Sequence, residues 1–180
     1  TINPVNKQPS INAIADLEVE EDSPVVTIPL SGISYENNLK SQTVIITATG
    51  TNPDLVSNIV VNYTAPDSTS SIDLTVEPNK FGEETITVTV SDGLGGSVIE
   101  LFGLKVTPVN DPPYLVLPLP DESVNASHPY QLPLTALMGI VFDDIDDDIL
   151  SFDVKQEGTD GLPVWAVIES NILTATPMIA

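Results

Sequence analysis

Two proline-bracketed segments, NPVNKQPSI at residues 3–11 and TPVNDPPYL at 107–115, repeat a Pro-Val-Asn core at an interval of 104 residues. That interval is the size of one β-sandwich domain of about 100 residues. Proline fixes its own φ and steers the preceding residue away from helix, so both segments read as stiff, extended linkers that join domains end to end. The boundary is expected near 108–113. It divides the 180 residues into a first domain at 1–108 and a second at 109–180.

Between the linkers, strand signals arrive at sandwich spacing. Residues 10–19, 24–32, 43–50, 55–63, 70–78, 84–92 and 96–108 give seven expected strands, and TITVTV at 85–90 alternates residue by residue, as a strand with one buried face must. DGLGG at 92–96 reads as a hairpin turn, because Asp-Gly tolerates positive φ. In the second domain, strands are expected at 114–120, 128–134, 149–155, 163–169 and 171–177, with a turn or short helix at 135–140. Five strands against seven implies a second sandwich that lacks its last strands and leaves edges unpaired.

The balance of charge removes several functions. Lys plus Arg number 5 against 26 Asp plus Glu, for a net charge of -21. Such a surface repels nucleic acid phosphates and anionic lipid. With 41% hydrophobic residues the chain is nevertheless a folding one, not an acidic disordered tail. Cysteine is absent, which excludes disulfides and thiolate metal sites. No apolar run reaches the roughly 18 residues of a membrane span. The start, TINPVNKQPS, lacks signal-peptide anatomy, so the chain is read as a piece of something longer.

The charge is most concentrated in FDDIDDD, residues 142–148, where Asp143, Asp144, Asp146, Asp147 and Asp148 stand among seven positions. Lysines are too few to offset them, and a metal ion is the expected counter-charge.

Taken in order, these motifs resemble a known family. The first domain, with VEED after its first strand, VEPNKFGEETITVTVSDGLGG and a closing VTPVNDPP, is similar to the cadherin-like repeats of large bacterial surface proteins. The second, with FDDIDDDILSFDV followed by GLPVWAVIESNILTATP, resembles the dystroglycan-type cadherin-like domain. The resemblance implies an all-β protein of two tandem Ig/cadherin-like Greek-key sandwiches, with calcium where domains meet. Carried over by position, Asn110 and Asp111 match the linker Asn-Asp, Asp144 and Asp146 match the Asp-x-Asp of the following domain, and Asp148 matches a further Asp. Glu21 or Asp22 takes the place of the acid after the first strand. Pro108 stands where classical cadherin linkers carry another Asp, which implies fewer ions than the three usual there. At the first linker, Lys7 replaces the expected Asp, and Tyr35 and Glu36 stand where the second domain has Asp144 and Asp146. That junction is expected to be weak or metal-free.

The oxygen count agrees with calcium, which takes six to eight hard oxygen ligands in a flexible arrangement. One amide and four carboxylates from 110, 111, 144, 146 and 148 approach this number once backbone oxygens, water and Glu21 are added. Magnesium demands stricter geometry, and zinc finds only His128. Other features read as ordinary. Trp165, inside LPVWAVI, is expected in the core; His128 has no triad partners; the triplets at Asn62 and Asn125 fit the glycosylation sequon by chance frequency. The expected function is a non-enzymatic, calcium-binding segment of an extracellular, secreted or cell-surface adhesin or matrix protein. Its partners would be neighbouring repeats and a homophilic, glycan or protein ligand, with no nucleic acid and no membrane insertion. The alternatives are a carbohydrate-binding module of a secreted polysaccharide-degrading enzyme, which needs exposed aromatic rings, and assembly by strand exchange.

Overall fold

The computed structural model describes residues 6–23, 25–34 and 43–178. The chain forms two compact units, Thr1–Val109 and Asn110–Ala180. Among the described residues no helix is long and apolar enough to cross a membrane.

Unit 1 contains β1 (Leu17–Glu20), β2 (Val25–Ser31), β3 (Ile45–Thr49), β4 (Val56–Val61), β5 (Thr69–Val76), β6 (Gly82–Ser91) and β7 (Ser97–Thr107). They form two sheets, ordered β1-β7-β6-β3 and β2-β5-β4. The alternation in the sequence sets the inner faces. Ile72, Leu74 and Val76 of β5 are buried, as are Ile86, Val88 and Val90 of β6 and Phe102, Leu104 and Val106 of β7. With Ile28 and Leu30 they make one core. Each such side chain contributes about 1.5–3 kcal/mol through removal from water.

The expected first strand at 10–19 is divided. Ser10 bridges Ser34, and the Asn12 N–H donates to the Ser31 carbonyl, so residues 10–12 lie beside the end of β2. It then crosses, and β1 runs parallel to β7 with Leu17 opposite Leu104. The crossing is secured where Asp16 Oδ1 accepts the Gly103 N–H at 2.6 Å. The DGLGG turn closes β6 onto β7 as a five-residue loop. Asp92, fully buried, accepts the N–H groups of Leu94 and Gly96 at 2.8 and 2.9 Å, while Gly93 and Gly95 take φ of 70° and 98°.

Unit 2 contains β8 (Tyr114–Leu115), β9 (Tyr130–Pro133), a 3-10 turn (Leu134–Leu137), β10 (Phe142–Asp143), β11 (Ala166–Glu169) and β12 (Ile172–Ala175). Its larger sheet is ordered β11-β12-β9, all antiparallel, and β10 pairs with β8. The order β9-β12-β11 reproduces β2-β5-β4 of unit 1. Leu134, Leu137 and Val141 are buried, with Leu132, Phe142, Phe152, Val154, Ile168 and Leu173 partly covered around them. Phe142 and Phe152 meet edge to face at 5.9 Å.

Three expectations for unit 2 are corrected. Only Tyr114 and Leu115 of the strand expected at 114–120 pair, since their partner β10 is itself two residues long. Residues 149–155 form no ladder among the described residues. Trp165 is not core: it sits in a turn before β11, 40% exposed beside Val164, which is 92% exposed. There the apolar run of the sequence is spent on a turn, so its ring finds no second layer to enter.

Candidate functional site

The acidic stretch 142–148 begins as a strand and ends as a turn. Phe142 and Asp143 pair with β8, and the Val116 N–H donates to the Val141 carbonyl at 2.7 Å, which holds the start of the stretch beside residues 114–116. The chain then folds back on itself. Asp144 Oδ1 accepts the Asp146 N–H at 3.0 Å, and Asp147, with φ of 59°, donates its N–H to the Asp144 carbonyl at 3.3 Å. Short acidic side chains favour such turns because they bond their own backbone two residues on. The fold-back buries Asp144, leaving 6% exposed.

The linker reaches this turn. The Asp111 N–H donates to Asp146 Oδ2 at 2.6 Å, and the Asn110 amide donates to the Asp111 carbonyl at 2.9 Å. Asn110, Asp144 and Asp148 line one cleft together with Phe142, Ile149 and Phe152. Asp143, Asp144, Asp147 and Asp148 line a second, smaller one with Gly139. Thus, of the residues expected from the sequence, Asn110, Asp111, Asp144, Asp146 and Asp148 all lie in this one region of unit 2.

Glu21 belongs to unit 1. It is 3% exposed, its Oε1 accepts the Val109 N–H at 2.9 Å, and its buried Oε2 takes no hydrogen bond among the described residues. Asp22 turns elsewhere: it is exposed, with φ of 58°, and its Oδ1 accepts the Asn79 N–H at 3.1 Å. Of the alternatives Glu21 and Asp22, Glu21 is the one bound to the departing chain. Tyr35 and Glu36 lie outside the described residues, while Asn6 of the first linker donates to Asp92 Oδ2 at 2.8 Å.

Among the described residues no lysine or arginine is paired with the acidic turn. Lys155 is the sole Lys or Arg between 110 and 178, and it pairs with Asp153 at 3.3 Å. Among the described residues no lysine pairs with Asp143, Asp144, Asp146, Asp147 or Asp148. The field of these acids reaches Tyr114, whose hydroxyl lies 3.4 Å from Asp143 Oδ2. The negative charge of Asp143, followed by desolvation and the hydrogen bond to Asp143, pushes the Tyr114 phenol above its ordinary pKa, and Asp144 adds to the effect. Tyr114 and Asp143 were not among the expected site residues. The signal for them is β8–β10 pairing, which a two-residue strand cannot announce in sequence.

Among the described residues no three acid or histidine side chains stand grouped tightly enough to hold an ion by themselves. The donor set is still of the right kind for calcium. Asp143, Asp144 and Asp146 each accept one backbone N–H, and a carboxylate offers about four lone-pair sites, so oxygen capacity remains. Calcium also recruits amide, backbone and water oxygens beyond the carboxylates.

No family model matches the chain, and no curated protein matches it. Solved structures do. The human desmocollin-1 ectodomain is 14% identical over 95% of this chain and 34% of its own length, with a TM-score of 0.51. An endo-fucoidan hydrolase of glycoside hydrolase family 107 is 21% identical over 99% of this chain, with a TM-score of 0.44. The Ig1-2 module of the Drosophila receptor tyrosine phosphatase DLAR is 9% identical over 96% of this chain and 85% of its own, at 0.41. The chain spans about a quarter (26%) of the fucoidan hydrolase and about a third of the desmocollin ectodomain. The desmocollin likeness shows the fold: this is an all-β chain of tandem Ig/cadherin-like β-sandwich units.

Proposed function

We propose that this chain is a non-enzymatic segment of a large extracellular adhesin or matrix protein, built from cadherin-like repeats of the bacterial surface kind and stiffened by calcium at the junction between units. The observation that supports the reading is the 2.6 Å bond from the Asp111 N–H to Asp146, which ties the linker to an acidic turn with no lysine partner among the described residues. Asn110, Asp111, Asp144, Asp146 and Asp148 would be the ligands from unit 2. Glu21, with its unbonded buried oxygen, would be the ligand from unit 1. The ion supplies positive charge to five neighbouring aspartates that otherwise repel one another.

Extracellular modules hold calcium with Kd on the order of 10⁻⁴ to 10⁻³ M, so the test is a calorimetric titration in that range. Wild type should bind, and Asp144→Ala with Asp146→Ala should lose the heat. Heat retained in the double variant would place the ion elsewhere.

One observation favours a second reading, a carbohydrate-binding module of a secreted polysaccharide-degrading enzyme. Trp165 and Phe81 are surface rings, 40% and 61% exposed, and sugar sites use such rings as platforms. Glycan-array binding that survives the double aspartate replacement and disappears in Trp165→Ala or Phe81→Ala would support it over the first.

A further inference from the structure

Residues 149–155 have the form of a β-strand without the pairing of one. Their exposure alternates along ILSFDVK: Leu150, Phe152 and Val154 are half-buried, and Ile149, Ser151, Asp153 and Lys155 are exposed. Phe152 and Val154 rest on the Leu134–Leu137–Val141 cluster. Yet no backbone N–H or carbonyl from Ile149 to Lys155 takes a hydrogen bond among the described residues.

Unit 1 shows what lies at this position in a finished unit. Because β9-β12-β11 repeats the order β2-β5-β4, residues 149–155 lie between the equivalents of β2 and β4, the interval in which unit 1 has β3. There β3 is paired antiparallel by β6, from Ile45 opposite Ser91 to Thr49 opposite Thr87. That partner covers the core with Ile86, Val88 and Val90, each fully buried. Among the described residues unit 2 shows no such cover, and its core-facing Leu150, Phe152 and Val154 stay only half-buried.

We infer that residues 149–155 are an acceptor edge for an antiparallel β-strand that carries apolar side chains at alternate positions, brought by a polypeptide segment outside this sequence. Backbone hydrogen bonds along an open edge give such an addition its affinity, and alternate side chains give it register. A second copy of the chain is a poor donor. Its β6 is already bonded on both sides, by β3 and β7, and each copy carries a net charge of -21.

The test adds a strand of the required pattern to the full chain. A second copy of residues 82–107 is joined behind Ala180 through a flexible glycine-serine linker, which raises its effective concentration to the millimolar range. Amide hydrogen exchange is then read by NMR between Ile149 and Lys155. Alternate amides should slow by about tenfold or more relative to the unextended chain, and the protection should vanish when the added copy carries Ile86→Asp and Val88→Asp. The inference is overturned if exchange is unchanged, if the aspartate-bearing copy protects equally, or if the unextended chain is already protected. Protection of the unextended chain that grows with its concentration would also overturn it, in favour of self-association.

Discussion

Glu84 offers a quantitative test of how unit 1 is held together. It points inward at the start of β6 and is 3% exposed. Its carboxylate accepts the N–H of Thr51, the Thr51 hydroxyl at 3.1 Å and the Asn52 N–H at 3.0 Å, and so fastens the turn after β3. Hydrogen bonds to a charged group contribute about 1.5–3 kcal/mol each, and water can replace part of that at an exposed turn, so Glu84→Ala should cost about 2–4 kcal/mol. Gly50 supplies the second half of the test. A Cβ there would stand 2.7 Å from Glu84 Oε1 and 3.3 Å from Ile86 Cδ1, too close for the carboxylate to keep its donors. Gly50→Ala should therefore cost about 1–2 kcal/mol in the wild type. With Glu84 already alanine that obstacle is gone, and the loss of unfolded-state entropy should leave Gly50→Ala neutral or stabilising by up to about 1 kcal/mol. Urea unfolding followed at the Leu74 and Val88 methyl resonances, both in the unit 1 core, reads all four species. A cost below about 0.5 kcal/mol for Glu84→Ala, or an equal effect of Gly50→Ala in both backgrounds, would mean that Glu84 does not hold this turn.

Leu74→Ala removes a fully buried side chain from the centre of β5 and should destabilise unit 1 by about 2–5 kcal/mol, read as a lower urea midpoint at unchanged slope. The Asp73 carboxyl is held below its ordinary pKa by hydrogen bonds from Thr27 and Asn62. Its contribution to stability is thus present above the unfolded value of about 3.9 and lost as pH falls through the folded value. Thr27→Val should move its NMR titration upward; no movement would contradict that cause. For Tyr114 the sign is opposite. Its folded pKa is raised, so stability from the neutral phenol is complete below about pH 10 and lost as pH rises through the folded value. Asp143→Asn should lower the Tyr114 pKa, and so should calcium if it binds the adjacent turn. A tyrosinate absorbance titration unaffected by either would count against the field described here.

The strands of unit 1 were legible because each buries one face, so Ile86, Val88 and Val90 announce themselves by alternation. The first strand misled at its boundaries, since the crossing from β2 to β7 depends on Asp16 meeting Gly103, 87 positions away. Glu84 went unnoticed for a related reason: its partners are 32 and 33 positions distant, and an acid at an inward position has no local signature. In unit 2 the pattern at 149–155 is that of a strand, but pairing requires a neighbour, and alternation alone does not supply one. Trp165 read as core because apolar neighbours suggest burial, whereas burial depends on a second layer above them. The acidic turn was plain in composition. Its tie to Asp111 rests on the carry-over of the linker Asn-Asp and on the fold-back at Asp147.

If calcium held by oxygens of the linker, the acidic turn and Glu21 stiffens the chain between the units, residual dipolar couplings will report it. Couplings from unit 1 and unit 2 should fit separate alignment tensors in chelator and a single shared tensor in millimolar calcium. Separate tensors in both conditions, or one shared tensor in both, would contradict it.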